Sequence, residues 1–598
     1  MPRKNVPISY FSRDFESIKK SLVEHAKRYY SDSFTDFNEA GFGSLFLDTA
    51  AYTGDILSFY LDYQANESFL ETANEYDNVL RHAKPLGYRL QENPSSHGVL
   101  TFFVLVQANE VGLGPDSRYI PILKKNSIFS AKNGNNFTLV EDVFFGDPDN
   151  EIVVARVDDI TGLPTSYAIR AFGRAVSGRL EETFITVGDF ERFLTVSLDI
   201  GNVAEIILVE DAEGHEYYEV DFLSQDVVYK SVLNRSSDSQ NAPDLLKPFT
   251  VPRRFIVDRK EGKVFLQFGS GNDDSDRTSE RIVDPSRVIL EVHGRTSIPD
   301  TSFDPTNLIK TDKFGISPAN TTLRVVVRAN TVDNVNASSD SVVETVNANF
   351  DFNDLPTLDR GLVNSVKASI EVTNEEPLIG DVTLPDAQEL KLRVYNSFAS
   401  QNRAVTLQDY IALVYNMPSE FGSVKRVNVV RDPDSFKRNV NLYTISENQN
   451  GTLTPTSTTI KQNLKVWLNK NRMINDTIDI LDAKIVNLGI SYSVVGDLER
   501  DKYDILADAN FAVSNLFNSV KDIGEPLFIT DVYDTLKRVS GVVDVKRVKV
   551  SQKVGGVYSD IRFNINEQTS ADGRYIVAPA NVIFEVKYPI DDVKGEVK

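Results

Sequence analysis

The residues best suited to metal binding or proton transfer are scattered along the chain. The five histidines form no His-Glu-x-x-His motif and no other closely spaced ligand pair; they are His25, His82, His97, His215 and His293. The chain has no cysteine, so it has no thiolate nucleophile, no disulfide and no cysteine zinc site. The sequence therefore identifies no metal ligand, and we expect no metal catalysis.

Other patterns that could support chemistry are incomplete. There is no Gly-x-Ser-x-Gly elbow and no P-loop, and the Gly-x-Gly of Phe268 to Gly271 is not followed by a helix with Lys-Ser or Lys-Thr. A tight turn is expected there. Asp273, Asp274 and Asp276 lack the glycine and the terminal glutamate of a calcium loop, which favours a solvated turn. Carboxylates are too numerous to exclude a glycosidase pair, but we assign no catalytic or cofactor-binding residue.

Composition limits the function classes further. With 598 residues the chain is too long for one core, which predicts three or four domains. The 64 basic residues against 86 acids give a formal charge of -22, which is poorly suited to gripping nucleic acid. The run Leu100 to Val106 is too short to span a membrane, and no apolar core follows the basic N-terminus. We therefore expect neither a nucleic-acid partner, nor a membrane span, nor a secretion signal.

The longest apolar stretch predicts a long helix from Ser44 to Leu70. Its apolar residues form a stripe at spacings of three, four and seven, and more apolar residues lie outside the stripe than one buried face needs. An earlier helix is predicted from about Asp14 to Tyr30. We expect these helices to bind a partner through Phe15, Ile18, Leu22, Leu45, Tyr52, Gly54, Ile56, Phe59, Tyr63 and Leu70.

Two alternatives remain open for this segment. The helices could form a cap within their own chain, or they could contribute to a bundle completed by other chains, which the excess of large apolar residues favours. Asp48, Asp55 and Asp62 recur every seven residues and could face solvent or a basic surface. A capping box over Thr72 to Glu75 is predicted to begin a third helix.

Beyond residue 93 the periodicity changes to short strands, and helices return in the C-terminal half. The prediction is an α+β multidomain protein with an N-terminal helical bundle segment, a β-rich central body resembling a sandwich or barrel, and C-terminal tandem α+β sandwich subdomains. The region from Asp273 to Asp304 is predicted to be a long exposed loop. The predicted limits are 1–93 for the helical segment, 94–345 for the body, and 346–490 and 491–598 for the two α+β subdomains.

Several motifs, in this order, give a family resemblance. The run from Asp36 to Tyr88 resembles the opening of the baseplate J-like proteins of contractile phage tails, and the ending Tyr575 to Pro589 looks like the longer wedge proteins of T-even-type phages. Three further motifs recur in the family's order: Val372 to Asp381, Gln401 to Tyr410 and Val539 to Val548. The residues that match these motifs, and that we expect to be structural, are Arg403, Val405, Thr406, Asp409, Tyr410, Gly541 and Val542.

The resemblance implies a non-enzymatic structural part of the tail baseplate. It implies that two copies pair in each wedge, that their N-terminal helices bundle with a different wedge protein, and that the C-terminal region joins wedges into a ring around the hub. Tail hub or sheath-initiating proteins would lie nearby. The protein would be located in the virion, in a tail baseplate assembled in the host cytoplasm, and it would need no cofactor.

Two other function classes remain possible from the sequence. A β-rich tail protein that binds a receptor or a carbohydrate would be expected to show clustered surface tryptophans, whereas this chain has one, Trp467, on a predicted helix. A tail glycosidase would be detected by a zymogram on peptidoglycan or host polysaccharide.

Overall fold

The computed structural model describes residues 14–30, 41–88, 94–109, 114–160, 162–233, 244–260, 263–272, 314–330, 334–432, 439–473, 475–517 and 520–598. The loop predicted at 273–304, with its three aspartates and His293, lies outside these residues. The chain forms two compact units, one of residues 1–90 and 384–416, the other of residues 91–383 and 417–598. The predicted domain limits at 93, 345 and 490 stay a prediction.

The helices confirm the apolar periodicity of the sequence at both ends of the chain. In the described residues they are α1 Phe15–Tyr29, α2 Phe42–Glu67, α3 Tyr76–Ala83, α4 Arg360–Ala368, α5 Ala387–Ser400, α6 Leu407–Tyr415, α7 Thr458–Asn471, α8 Lys502–Leu516, α9 Ile529–Lys537, α10 Ile565–Gln568 and α11 Pro589–Asp592. Helix α4 was not predicted from the sequence; Asp359 begins it by accepting hydrogen bonds from the backbone N–H groups of Gly361 (2.6 Å) and Leu362 (3.4 Å).

Strands fill the central body and return near the C-terminus. In the described residues they are β1 His97–Gln107, β2 Ile122–Leu123, β3 Ile128–Ala131, β4 Asn136–Leu139, β5 Val143–Phe144, β6 Glu151–Val157, β7 Pro164–Ser177, β8 Arg179–Val187, β9 Thr195–Leu198, β10 Val203–Glu210, β11 Glu216–Glu219, β12 Val227–Leu233, β13 Asp244–Thr250, β14 Arg254–Lys260, β15 Lys263–Phe268, β16 Thr321–Ala329, β17 Val342–Asn347, β18 Phe350–Asp351, β19 Glu371–Thr373, β20 Arg426–Arg431, β21 Asn439–Glu447, β22 Leu453–Thr454, β23 Thr477–Asp482, β24 Lys484–Gly496, β25 Leu527–Phe528, β26 Val542–Lys553, β27 Tyr575–Ile576, β28 Val582–Glu585 and β29 Val593–Val597.

Two seven-stranded sheets build the β-rich body. The first has the order β17-β3-β4-β7-β1-β19, with β6 paired to β7, and the second has the order β8-β16-β10-β11-β14-β15-β9. Each sheet has its own core: the rings of Phe102 and Phe129 meet in the first, and those of Phe255 and Phe268 in the second. The predicted β-rich, barrel-like body is therefore confirmed.

The C-terminal α+β region contains two smaller sheets, each packed with helices. Strands β20, β21, β22 and β23 form one, and β24 is the centre of the other, pairing with β26 on one side and with β28 and β29 on the other. Helices α8 and α9 bury Val513 and Leu536 in the core of the second sheet. A shared cluster that includes Ile445 and Ile583 joins the two sheets. The predicted tandem α+β arrangement is confirmed.

The other compact unit is entirely helical in its described part. It contains α1, α2 and α3 together with α5 and α6, which the sequence analysis had placed in the first α+β subdomain. Among the described helices, none combines the length and the apolar composition that crossing a membrane requires.

Candidate assembly surface on the N-terminal helices

Helix α1 covers one side of α2. A Cβ atom placed on Gly54 would lie 3.3 Å from Cδ1 of Ile18, so the missing side chain of the glycine allows the two helices to approach closely. Phe15 and Leu22, on the same helix as Ile18, are half-buried. The structure thus brings Ile18 and Gly54 together within one chain. Asp48 forms an ion pair with Lys19 at 2.8 Å, so this aspartate faces a lysine of its own chain.

The rest of α2 lies uncovered within its unit. Phe59 is 65% exposed and Leu61 is 70% exposed, while Ile56 is half-buried. We call the exposed set the uncovered face; it consists of Phe42, Leu45, Phe46, Tyr52, Leu57, Phe59, Tyr60 and Leu61. Three of the residues predicted from sequence to bind a partner, Leu45, Tyr52 and Phe59, therefore lie on this exposed surface of the described structure.

The uncovered face is broad and carries no charge. At about 100° per residue its eight side chains spread over about 200° of the helix circumference. Between Phe42 and Ala65 the only charged residues are Asp48, Asp55 and Asp62, and these lie outside the arc, along one of its borders. The exposed rings also pack on each other, with centroids 4.9 Å apart for Phe42 and Phe46. A continuous exposed apolar surface of this size is typical of sites that contact another molecule.

The C-terminal end of α2 is fixed by a glutamate that the sequence analysis did not identify. Glu67 is buried, and its carboxylate accepts hydrogen bonds from the backbone N–H of Asn74 (2.8 Å) and the side-chain amide of Asn78 (2.9 Å). The bond from Asn74 is the main cause that lowers the pKa of Glu67. The capping box predicted over Thr72 to Glu75 is wrong, because the Thr72 hydroxyl donates instead to the backbone carbonyl of Asn66 at 2.6 Å. The sequence signal for this contact is an acidic residue, Glu67, at the end of an apolar helix and seven residues before Asn74.

The segment after α2 packs on α5. Tyr63 donates a hydrogen bond from its hydroxyl to Glu75 at 3.0 Å, which raises the pKa of Tyr63. Leu70 is half-buried against a small core made of Ala73, Val79, Ala83, Tyr88, Leu390 and Val394. The Tyr395 hydroxyl and the Lys391 ammonium group both donate to Glu71. Leu70 therefore holds the segment after α2 against this core, whereas Tyr63, although bonded to Glu75, stays 39% exposed.

The motif from Gln401 to Tyr410 connects α5 to α6. Thr406 accepts a hydrogen bond from the backbone N–H of Asp409 at 3.2 Å, and the Asp409 carboxylate accepts from the N–H groups of Thr406 (2.8 Å) and Val405 (3.1 Å). This capping box confirms the predicted start of α6. Tyr410 is 1% exposed, whereas the Arg403 guanidinium donates to the neighbouring Gln401 side chain. Tyr410 belongs to the interior of the unit, while Arg403, Val405 and Thr406 are exposed.

The motif from Val539 to Val548 lies in the other unit, where it follows α9 and contains the start of β26. Gly541 has φ +85°, a conformation that few residues other than glycine adopt, and a Cβ atom there would lie 3.0 Å from Ile505. The Gly541 carbonyl accepts from the N–H of Asp497 at 2.8 Å, and the N–H of Val542 donates to Val539 at 3.2 Å. The motif positions a turn and provides no exposed reactive group.

The ring nitrogens of His82, His97 and His215 contact oxygen atoms of the same chain. His97 is buried, and its Nε2 lies 2.9 Å from the backbone carbonyl of Glu420; burial lowers the pKa of His97 to about 3. His82 contacts the Glu67 carbonyl at 2.8 Å, and His215 contacts the Asp211 carboxylate at 3.2 Å. No group of three potential metal ligands occurs within the part of the chain that the structure describes.

Comparison with protein families identifies the N-terminal helices. Residues 14–85 match the family described as "Bacteriophage baseplate protein, N-terminal domain". The matched segment contains α1, α2 and α3, and thus the whole uncovered face. The match supports a bacteriophage baseplate protein, a structural component of the phage tail. It does not distinguish a wedge protein from other baseplate proteins.

Comparison with solved structures gives a distant likeness. A chain of the anti-feeding prophage (AFP) baseplate, from a six-fold symmetrised cryo-EM structure, is similar with 9% identity, covering 94% of this chain and 90% of that chain, at a TM-score of 0.24. A TM-score of this size does not establish a shared fold. Comparison with curated proteins finds no match.

Proposed function

We propose that this chain is a non-enzymatic wedge component of a contractile phage tail baseplate. The observation that carries the proposal is the uncovered face of α2, which lies within the segment that matches the baseplate N-terminal domain. The family match supports the baseplate location, and the uncovered face supports a role in assembly. The motifs that resemble the baseplate J-like proteins favour a wedge protein within that location.

The width of the uncovered face predicts two partner helices. One helix packing on α2 would cover about one third of its circumference, whereas the exposed apolar arc spans about 200°. We infer that one partner is the α2 of a second copy and that the other is a helix from a different wedge protein. Asp55 and Asp62 lie beside this arc and favour partners that bring basic residues to its border.

The free energy gained by burying the uncovered face is of the same order as the cost of forming the bundle. Full burial of one large apolar side chain contributes about 1.5–3 kcal/mol, and the uncovered face has eight of them. Association costs about 4–15 kcal/mol in lost translational and rotational freedom. Burial of all eight would contribute at most about 12–24 kcal/mol, which is of the same order as that cost.

The C-terminal α+β region is the proposed second interface, through which neighbouring pairs join into a ring around the hub. It also has large exposed apolar side chains: Leu498, Tyr503, Phe511 and Val543. Two separate interfaces on one chain are the minimum for a closed ring of dimers. The proposed location is the tail baseplate of the virion, assembled in the host cytoplasm, with hub or sheath-initiating proteins nearby.

A charge placed on the uncovered face tests this function. We expect Phe59→Asp to abolish incorporation of the chain into baseplates, while the thermal unfolding of the purified chain stays unchanged, because the ring is exposed. The matched control is Phe184→Asp, since Phe184 in β8 is 64% exposed and lies outside the helical unit. Baseplates would be isolated from cells that express each variant in place of the wild type. Normal incorporation of the Phe59→Asp chain would refute the proposed bundle.

A further inference from the structure

The strand β6 is exposed along its whole length. Each of its seven residues, Glu151–Val157, is exposed, and within the described residues it pairs only with β7. Successive residues of a strand point to opposite faces, so Ile152 and Val154 present one apolar face and Val153 presents the other. The backbone N–H and C=O groups on the side away from β7 form an open edge.

This edge lacks two of the usual protections against pairing with another chain, proline and lysine, and its pairing with β7 is regular from Glu151 to Val154, with register shifts only around Arg156. The strand reads EIVVARV, without proline or lysine, and four of its seven residues are β-branched. The turn that follows adds apolar surface, since Ile160 is 95% exposed and Leu163 is also exposed. An edge of this length and composition is suited to accept an additional strand.

The charges around β6 indicate which strand would fit. Asp147 and Asp149 lie at one end, beside Glu151, which forms an ion pair with Arg170 of β7 at 3.3 Å, and Asp158 and Asp159 lie at the other end. Arg156 is the only basic residue between positions 147 and 163. If two copies of β6 paired in antiparallel orientation, the acidic end of each would meet the acidic end of the other. Parallel pairing would also place acid beside acid, and like charges opposite each other are destabilising. A second copy is therefore a poor occupant.

We propose that β6 accepts an extended segment of another baseplate protein, which adds to the sheet as an eighth strand. This segment would have apolar side chains at alternate positions and lysine or arginine at both ends, where they face the two acidic ends of β6. The inference rests on the proposed function, because it takes the partner to be a neighbour in the baseplate. It concerns a different unit from the uncovered face of α2.

Hydrogen exchange tests the added strand directly. We expect the alternate amides of Glu151–Val157 that point away from β7 to exchange fast in the isolated full-length chain, and about a hundredfold slower in purified baseplates. Equal exchange in both samples would overturn the proposal. Slow exchange already in the isolated monomer would show that another part of this chain covers the edge, and slow exchange in an isolated dimer would show that a second copy does. Either result would also overturn it.

Competition between variants separates this proposal from the proposed function. Wild type and variant would be expressed at equal levels, and their ratio in purified baseplates measured by mass spectrometry. We expect Val154→Lys to be incorporated about tenfold less than wild type, because an edge lysine hinders strand addition. Thr165→Lys, which adds the same charge to exposed Thr165 on the neighbouring strand, should be incorporated normally.

Charge reversal tests the basic ends of the partner. We expect Asp149→Lys combined with Asp159→Lys to reduce incorporation, and we expect added salt to diminish the difference from wild type. Equal incorporation of the Val154→Lys and wild-type chains would overturn the strand proposal alone. Absence of the wild-type chain itself from baseplates would refute the proposed function, and the strand proposal with it.

Discussion

Helix α2 and strand β1 are similarly apolar in sequence, yet the structure gives them opposite surroundings. In β1 the side chains of Leu100, Phe102 and Val104 are completely buried, because β7 and β19 pair with its two edges and the first core covers its inner face. In α2 the side chains of Phe59 and Leu61 stay exposed, because α1 covers only one side of the helix.

The difference shows that apolar content predicts that a segment needs to be buried, but not which part of the chain or which other molecule covers it. A strand in the middle of a sheet obtains neighbours from its own chain through backbone hydrogen bonds. A helix forms its backbone hydrogen bonds internally, so its apolar side chains can stay exposed until another molecule covers them. The uncovered face of α2 is therefore a property of the isolated chain, and the proposed assembly would remove it.

The largest expected effect tests this difference with one substitution in each region. Phe102→Ala should lower the free energy of unfolding by about 3–5 kcal/mol, because it removes a buried ring that packs on Phe129 at 5.0 Å. Phe59→Ala should change it by less than about 0.5 kcal/mol, because that ring is exposed. Denaturant unfolding of the purified chains measures both. Equal destabilisation would mean that α2 is core in the isolated protein.

The second expected effect concerns a buried charge in the larger unit. Burial and the nearby Glu205 and Glu219 carboxylates raise the pKa of Glu420 to about 7, against the smaller opposing effect of the Lys470 ammonium group. A carboxyl group whose pKa is raised in the folded state favours folding at low pH, and this contribution is lost as the pH rises from about 4.5 through 7. Glu420→Gln should therefore stabilise the chain at pH 8, by on the order of 2–3 kcal/mol.

The same substitution should have little effect at pH 4, where the carboxyl group is protonated in the folded chain and largely protonated in the unfolded chain. Thermal unfolding of wild type and variant from pH 4 to pH 8 measures the difference. Glu213→Gln, at an exposed position, is the control and should shift no transition. A Glu420→Gln effect that does not depend on pH would contradict the assigned pKa. A confirmed effect would show that the ionised Glu420 carboxylate lowers the stability of the folded chain at neutral and high pH, which is a cost that α2 does not carry.

The third prediction concerns the covered side of α2. Gly54→Leu should destabilise the packing of α1 on α2 by about 1–3 kcal/mol, because the larger side chain must displace Ile18. Gly54→Ala is the matched variant and should be neutral or slightly stabilising, since its Cβ needs a shift of only a few tenths of an ångström and alanine favours helix. Hydrogen exchange of α1 amides measures the effect. Unchanged protection in the leucine variant would mean that α1 does not depend on this contact.

The smallest prediction concerns the start of α6. Thr406→Ala removes the hydroxyl that accepts from Asp409, and it should cost about 1 kcal/mol of stability without changing which partners bind. Val405→Ala, at an exposed neighbouring position, should cost less. Calorimetry of both variants provides the comparison, and a Thr406→Ala chain with wild-type stability would show that the capping box contributes nothing.

Much of the local structure could be predicted from the sequence. Helix α1 was expected from about Asp14 to Tyr30 and runs Phe15–Tyr29, and the capping box of α6 was identified from Thr406 and Asp409. Both depend on side chains within a few positions of each other. The helix predicted to begin at Tyr76 is confirmed as α3, but its predicted capping box is wrong, because the N–H groups of Asn74 and Glu75 before the helix donate to the distant Glu67 and Thr72 does not cap it.

The sequence by itself determined that α2 has more apolar surface than one neighbouring helix can cover, since spacing and residue type decide this at 3.6 residues per turn. It also determined the change from helical to strand periodicity near residue 93. Only the tertiary structure decided which residues of the stripe are exposed: Gly54 faces Ile18, Leu70 joins a core with α5, and Phe59 stays uncovered. It also decided that α5 and α6 pack with the N-terminal helices, and that β6 has an open edge. The physical reason is that burial depends on contacts between segments far apart in the chain, which local spacing does not specify.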